Sequence, residues 1–166
     1  MKVIVIGPRG KMGKLITQVA AERDDMELVA GVAPAGRDYV GQDLGMVALI
    51  GRNLGVPVVD DLAAVIDDCD VIIDFSTREN ALKVLELAVK HGKALVCGTT
   101  GFSEEEFGRF KEAAKTIPML YAANTSKLVN IMNKLLEMVT KTLGEDAEIE
   151  ILEMHDQWKK DAPSGT

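Results

Sequence analysis

The stretch MKVIVIGPRGKMG, residues 1–13, sets four aliphatic residues, Val3 to Ile6, directly against glycines at 7, 10 and 13. A short β-branched run that ends on a glycine reads as a buried strand. Just beyond it, Met12, Leu15, Ile16, Val19 and Ala20 fall at i, i+3, i+4, i+7 and i+8, which predicts a helix with one apolar face. Glycines between a strand and a helix permit a tight turn and close backbone approach. The free N–H groups of the helix start, at its positive dipole end, can then meet a pyrophosphate. The spacing is GxxGxxG, a relative of GxGxxG, and its position at the end of the first strand gives it more weight than the glycines alone.

Further along the chain, ELVAGV (27–32), VPVV (56–59), VIID (71–74), ALVC (94–97) and MLYA (119–122) are also short, apolar and bounded by turn signals. Near-continuous apolar runs of this kind are what parallel strands covered on both faces require. EIEILE (148–153) alternates and predicts a strand with one wet face. Ser103 with Glu106 forms a capping box, and His91-Gly92 ends the helix before it. Leu128, Ile131, Met132, Leu135, Leu136, Val139 and Leu143 make the strongest helical stripe, with its methionines read as core filler. Strand-helix order repeated this way predicts an α/β fold, a doubly wound parallel sheet of Rossmann type. Residues 37–53 carry three glycines and read as a long loop with one helical turn. A domain change is expected near residues 124–129, giving a dinucleotide-binding domain over 1–125 and the beginning of a second, α+β domain over 126–166.

Composition narrows the function classes. The chain is 47% hydrophobic and 27% charged, so a folded core is expected. A formal net charge of -7 argues against nucleic acid, which needs a basic face. No apolar run reaches membrane-spanning length and no signal-peptide pattern precedes the first strand, so a cytoplasmic protein is expected. Cys69 and Cys97 lack metal-ligand spacing and read as small core residues, and no metal is expected.

The cofactor turn, residues Gly7, Arg9, Gly10, Lys11, Met12 and Gly13, carries two cations that either touch phosphate or are plain surface charges. NAD sites usually place an acid about 20 residues past the glycines to bond the ribose hydroxyls. Here Ala33 and Pro34 stand at that place and Arg37 follows, which favours NADPH, or use of both NADPH and NADH, with Arg37 and Lys11 as phosphate partners. DFST (74–77) and GTTGF (98–102) sit at carboxyl ends of strands, where open α/β sheets bind ligands.

The last residues, EMHDQWKKDAPSGT (153–166), concentrate His155, Asp156, Lys159, Lys160 and Asp161 ahead of a small-residue turn. With GPRGKMG, VIIDFS, CGTTGF and AANTS followed by Val129-Asn130, this order of motifs resembles the 4-hydroxy-tetrahydrodipicolinate reductase family, formerly called dihydrodipicolinate reductase. HxxxKxDAPSGT is the most specific of them. The resemblance implies an NAD(P)H-binding Rossmann domain, a second domain that supplies the substrate site and homotetramer contacts, and reduction of a cyclic imine-type dicarboxylate. It also implies that the family's chains continue past Thr166, so this chain is expected to be a truncated form of the full enzyme.

By the same resemblance His155 is the acid and Lys159 the group that stabilises developing charge and binds substrate, while Ser164, Gly165 and Thr166 hold a substrate carboxylate. Phe75, Ser76, Gly98, Thr100, Ala123, Asn124 and Ser126 match positions that line the cofactor pocket. Two departures bear on the substrate. The family usually has two consecutive histidines, whereas Asp156 follows His155 here. A carboxylate held near 4 Å from a substrate carboxylate costs about 4 kcal/mol at an effective dielectric near 20, so either Asp156 turns away or Lys160 offsets it. Thr125, Lys127 and Leu128 replace the usual Phe, Val and Gly. These changes leave open a related imine or carbonyl reductase with another substrate, or a cofactor-holding fragment without turnover.

Overall fold

The computed structural model describes residues 1–155 and 157. Six strands, β1 (Lys2–Ile6), β2 (Glu27–Val32), β3 (Val58–Val59), β4 (Val71–Asp74), β5 (Ala94–Cys97) and β6 (Met119–Tyr121), form one sheet. All neighbours are parallel, in the order β3-β2-β1-β4-β5-β6. The chain starts at the centre, moves outward through β2 and β3, then returns to the other side of β1. The switch point therefore lies between β1 and β4, at the end of the first glycine turn.

The pleat divides the core in two. Ile4 and Ile6 join Ile72, Leu95 and Phe110 on one face, with Ala81, Val84, Leu85 and Ala88 of α3 (Arg78–His91). Val3 and Val5 join Leu28, Val58 and Leu44 on the other, with Ala20 of α1 (Lys11–Ala21). Alternation of side chains along a strand requires this division. Phe110, on α4 (Glu104–Ala113), also packs in a ring cluster with Phe102, Phe107 and Tyr121, at centroid distances from 4.6 to 6.5 Å. Such tilted aromatic contacts add to the burial of the rings themselves.

Local signals in the sequence are realised at the helix ends. Ser103 and Glu106 exchange both capping-box bonds at the start of α4, and Gly92 closes α3 in the left-handed conformation at φ 64°. The 37–53 segment contains one short helix, α2 (Leu44–Val47). Asp43 fixes this segment: its Oδ1 accepts from the Gly45 and Leu54 N–H groups at 2.8 and 2.9 Å, and its Oδ2 from Gly55 and Val56 at 2.7 and 3.3 Å. Cys69 and Cys97 are both buried.

Three expectations about the first helix and the strands are corrected. VPVV contributes only Val58–Val59 to the sheet, with Pro57 in an isolated antiparallel bridge to Asp43. In α1 the sheet-facing residues are Gly13, Thr17 and Ala20, while Leu15 and Val19 are 56% and 59% exposed. Close helix-sheet contact selects the small residues for that face, and the larger ones turn outward. EIEILE is not a strand: residues 147–155 have no regular structure, and Ile151 and Leu152 are about nine-tenths exposed. A strand exists only with a ladder partner, and among the described residues none pairs with this segment.

Close packing defines two compact units, Met1–Tyr121 and the residues from Ala122 on. The second contains α5 (Lys127–Leu143), capped by Ser126, whose side chain accepts from the Val129 N–H. The helix forms as its periodicity predicts, yet none of its residues is buried, so its methionines do not fill a core in this structure. Within the first unit, Ile73, Val96 and Leu120 stand in register across β4, β5 and β6, on the face that carries α1. Leu120 remains 52% exposed there.

Asp43→Ala removes the acceptor of four backbone donors and is expected to cost roughly 2 kcal/mol or more in chemical denaturation. Burial opposes ionisation of this carboxyl, but the four N–H donors outweigh it and hold it below the usual carboxylate range. Its contribution is then complete above about pH 4, the unfolded value, and fades as pH falls through the folded value. The stability difference between the native protein and Asp43→Asn should shrink below about pH 4.

Candidate functional site

The turn after β1 is built by close contacts that only glycine permits. The Gly7 N–H donates to Val32 O at 2.8 Å, which ties the turn to the end of β2, and the Gly10 N–H donates to Gly7 O at 3.0 Å. A Cβ on Gly13 would stand 2.1 Å from the Gly7 carbonyl oxygen, far inside contact distance. The absence of that atom lets α1 start directly against the turn. Gly7 itself adopts φ 67°, a left-handed conformation that a side chain disfavours.

The start of α1 differs chemically from that of the other α-helices. Asp43, Thr77, Ser103 and Ser126 each cap a helix with a side-chain oxygen, whereas α1 begins at Gly10 with no side-chain cap. Its first N–H groups are therefore available to an anion, at the positive end of the helix dipole.

A cleft of about 650 Å³ opens at this place. Ile6, Gly7 and Gly10 form its floor, Val32, Ala33, Pro34 and Ala35 its wall beyond β2, and Phe75, Ser76 and Thr77 its wall beyond β4. Further out, Leu62, Val84 and Leu87 supply apolar surface, and Arg37, Asp60 and Lys83 the charges. Of the residues singled out in the sequence, the cleft brings together Gly7, Gly10, Arg37, Phe75 and Ser76. Gly13 is buried beneath the turn, and Arg9, Lys11 and Met12 are exposed outside the lining. Arg9 is engaged elsewhere: its Nη1 donates to Asp38 Oδ1 at 2.8 Å, and its guanidinium lies 4.9 Å from the centre of the Tyr39 ring.

The second and third turns interlock. The Gly98 N–H donates to Asp74 O at 2.9 Å, and the Asp74 carboxylate accepts from the Ser76 N–H at 2.9 Å. A Cβ on Gly98 would fall 2.0 Å from the Phe75 ring, so the bare glycine sets where that ring lies. Asn80 donates from Nδ2 to Ser76 Oγ at 3.0 Å, fixing the serine from α3. Beneath these turns Asp74 is fully buried, with Oδ2 unpaired, and burial raises its carboxyl above the usual range. Thr99 Oγ1 is likewise buried without a partner among the described residues. Burial pushes the Cys97 thiol up to about 11, so it stays protonated and unreactive. Thr100 follows in the same turn, half-buried.

In the second unit, Asn124 Oδ1 accepts from the Ser126 N–H at 2.8 Å, and Asn130 Nδ2 donates to the carbonyls of Asn124 and Ser126. Ala123 is exposed beside them. His155 Nε2 lies 3.0 Å from Glu153 Oε2. Asp156, Lys159, Ser164, Gly165 and Thr166 lie outside the described residues. Lys83, Asp60 and Tyr39 were missed from sequence, although Asn80, Lys83, Val84 and Leu87 follow the i, i+3, i+4, i+7 rule that marks one helix face. No group of His, Cys, Asp and Glu able to hold a metal ion occurs among the described residues, and no helix there is long and apolar enough to cross a membrane.

Strand order, the glycine turn and the uncapped helix together define a Rossmann-type α/β domain with an anion-receptive cleft at its switch point. The chain belongs to the dihydrodipicolinate reductase family: the family's N-terminal region matches residues 1–125 and its C-terminal region residues 128–166. It is 44% identical over 165 residues to the 4-hydroxy-tetrahydrodipicolinate reductase of Hahella chejuensis, covering 99% of this chain and 61% of that protein. To that of Geobacter metallireducens it is 46% identical, covering 100% and 62%. The chain thus spans about three-fifths of the length of these relatives. Dihydrodipicolinate reductase from Paenisporosarcina sp. TG-14, solved with dipicolinate bound, superposes with a TM-score of 0.76 at 29% identity, over 99% of this chain and 62% of that one. A biliverdin reductase from Synechocystis, at 14% identity and TM-score 0.63, shares the fold alone.

Gly13→Ala should force α1 away from the Gly7 carbonyl. The expected outcome is a protein of lower melting temperature in which nucleotide no longer raises that temperature, measured by thermal denaturation with and without NADPH.

Proposed function

We propose that this chain is the cofactor-binding part, with the start of the substrate-binding part, of an NAD(P)H-dependent reductase that converts 4-hydroxy-tetrahydrodipicolinate to tetrahydrodipicolinate in lysine and diaminopimelate biosynthesis. The single observation that carries this reading is the turn in which Gly13 lies against the Gly7 carbonyl, leaving the uncapped start of α1 open to the cleft. Membership of the family supplies the substrate class, a small dicarboxylate, in keeping with the dipicolinate held by the Paenisporosarcina enzyme.

In this reading the backbone at Gly7, Gly10 and Gly13 receives the pyrophosphate, with Arg9, Lys11 and Met12 flanking it and Arg37 at the ribose end. Phe75 and Ser76, with Gly98 and Thr100, form the wall against which the nicotinamide is oriented, and Ala123, Asn124 and Ser126 are assigned to the cofactor from the family resemblance. A reduced nicotinamide supplies a hydride to an electron-poor carbon of the substrate. The charge that develops must be met by a proton donor and a cation, roles assigned to His155 and Lys159. Ser164, Gly165 and Thr166 hold a substrate carboxylate through backbone N–H groups and hydroxyls. The full-length protein is expected to be a cytoplasmic homotetramer.

A related reductase acting on another cyclic imine is the second reading, favoured by Asp156, which takes the sequence position where the family usually has a second histidine. Assays on the full-length gene product separate the two. Turnover of freshly generated 4-hydroxy-tetrahydrodipicolinate should fall at least a hundredfold in Lys159→Ala and in His155→Ala, as loss of a general acid or a charge-stabilising group does. Activity on a different imine only would move the assignment to the second reading. The 1–166 chain by itself should bind NADPH and turn over poorly, and robust turnover by that chain would contradict this division of labour.

A further inference from the structure

Two cations of the cleft have no partner. Arg37 lies beyond the end of β2 and Lys83 on α3, and both line the same cavity. Neither makes an ion pair or hydrogen bond among the described residues, while Arg9, within the glycine turn, is already held by Asp38 and Tyr39. Asp60, the one carboxylate of the lining, is paired with neither cation. Lys83 shares its helix face with Val84 and Leu87, which also line the cleft. A lysine on such a stripe lays its methylene stem along apolar neighbours and carries its ammonium at the rim.

The lining contributed by the end of β2 is equally informative. β2 runs out into Ala33, Pro34 and Ala35, none of which offers a side-chain acceptor for ribose hydroxyls or a charge that would repel an anion. A phosphate monoester carries a charge between about -1.5 and -2 near neutral pH, and two unpaired cations in a concave cleft with one carboxylate match it. An arginine contributes a planar fork of donors and a lysine a compact charge, so the two meet different oxygens of one phosphate.

We propose that Lys83 is a specificity-determining residue that, together with Arg37, receives the 2'-phosphate of an NADP-type nucleotide. This rests on the cofactor reading above. Lys83 then contributes nothing to NADH, whose ribose bears only hydroxyls, and its effect appears as a difference between the two nucleotides.

The test is equilibrium titration of the chain and of Lys83→Met with NADPH and NADH, with 2',5'-ADP and 5'-ADP as competitors that isolate the phosphate. Lys83 is exposed, so the substitution leaves the core untouched. Lys83→Met should weaken NADPH and 2',5'-ADP by roughly tenfold, the scale of one hydrogen bond to a charged group, and leave NADH and 5'-ADP unchanged. Arg37→Met should act in the same sense, and the double variant should bind both nucleotides alike. An unaltered ratio of NADPH to NADH affinity in Lys83→Met, or equal weakening of both, overturns the assignment while the cofactor reading stands. Failure of the unsubstituted chain to bind any of the four nucleotides overturns the cofactor reading and the assignment with it.

Discussion

The contact on which the rest depends is the missing Cβ of Gly13 against the carbonyl oxygen of Gly7. It allows α1 to begin immediately above the end of β1, with nothing but backbone between the helix start and the cleft. Among the described residues every other α-helix is closed at its start by a side-chain oxygen, and this one is left open. Closing it with a serine or aspartate would satisfy the same N–H groups locally and put an oxygen where an anion has to come. The architecture therefore trades a cap for a binding surface.

The other ligand-facing turns depend on that arrangement through the sheet. Asp74 lies between Ile6 and Cys97 in register, so the end of β4 stands level with the first glycine turn and with the GTTGF turn. Its carbonyl and carboxylate hold Gly98 and Ser76, and the bare Gly98 leaves room for Phe75. A carboxyl buried this deeply with no cation beside it is pressed toward its neutral form. Asp43 works in the opposite environment, where four N–H donors keep its carboxylate charged and close the 43–56 loop outside the wall.

Apolar surface remains where the first unit has no covering layer. Ile73, Val96 and Leu120 cross three strands on the face of α1, and Leu15 and Val19 of α1 are exposed as well. The strong stripe on α5 is exposed along its whole length. The chain spans about three-fifths of the length of the relatives it matches.

Local chemistry sufficed for much of this. Strand periodicity, the glycine spacing, the Ser103 capping box and Gly92 each act within a few residues, so the sequence by itself determined the strands of the sheet, the doubly wound class and the place of the glycine turn. The exposed face of α1 was not legible, because periodicity reports which residues are apolar and close approach to the sheet selects which are small. EIEILE has a strand pattern but no strand, since a ladder needs a partner from elsewhere in the chain. Nor could sequence separate Arg9, held by Asp38 and Tyr39, from Arg37 and Lys83, which are brought to one cleft from segments more than 40 residues apart. Only the tertiary structure decided which charges meet, because pairing depends on distance in space, and that is set by the sheet order.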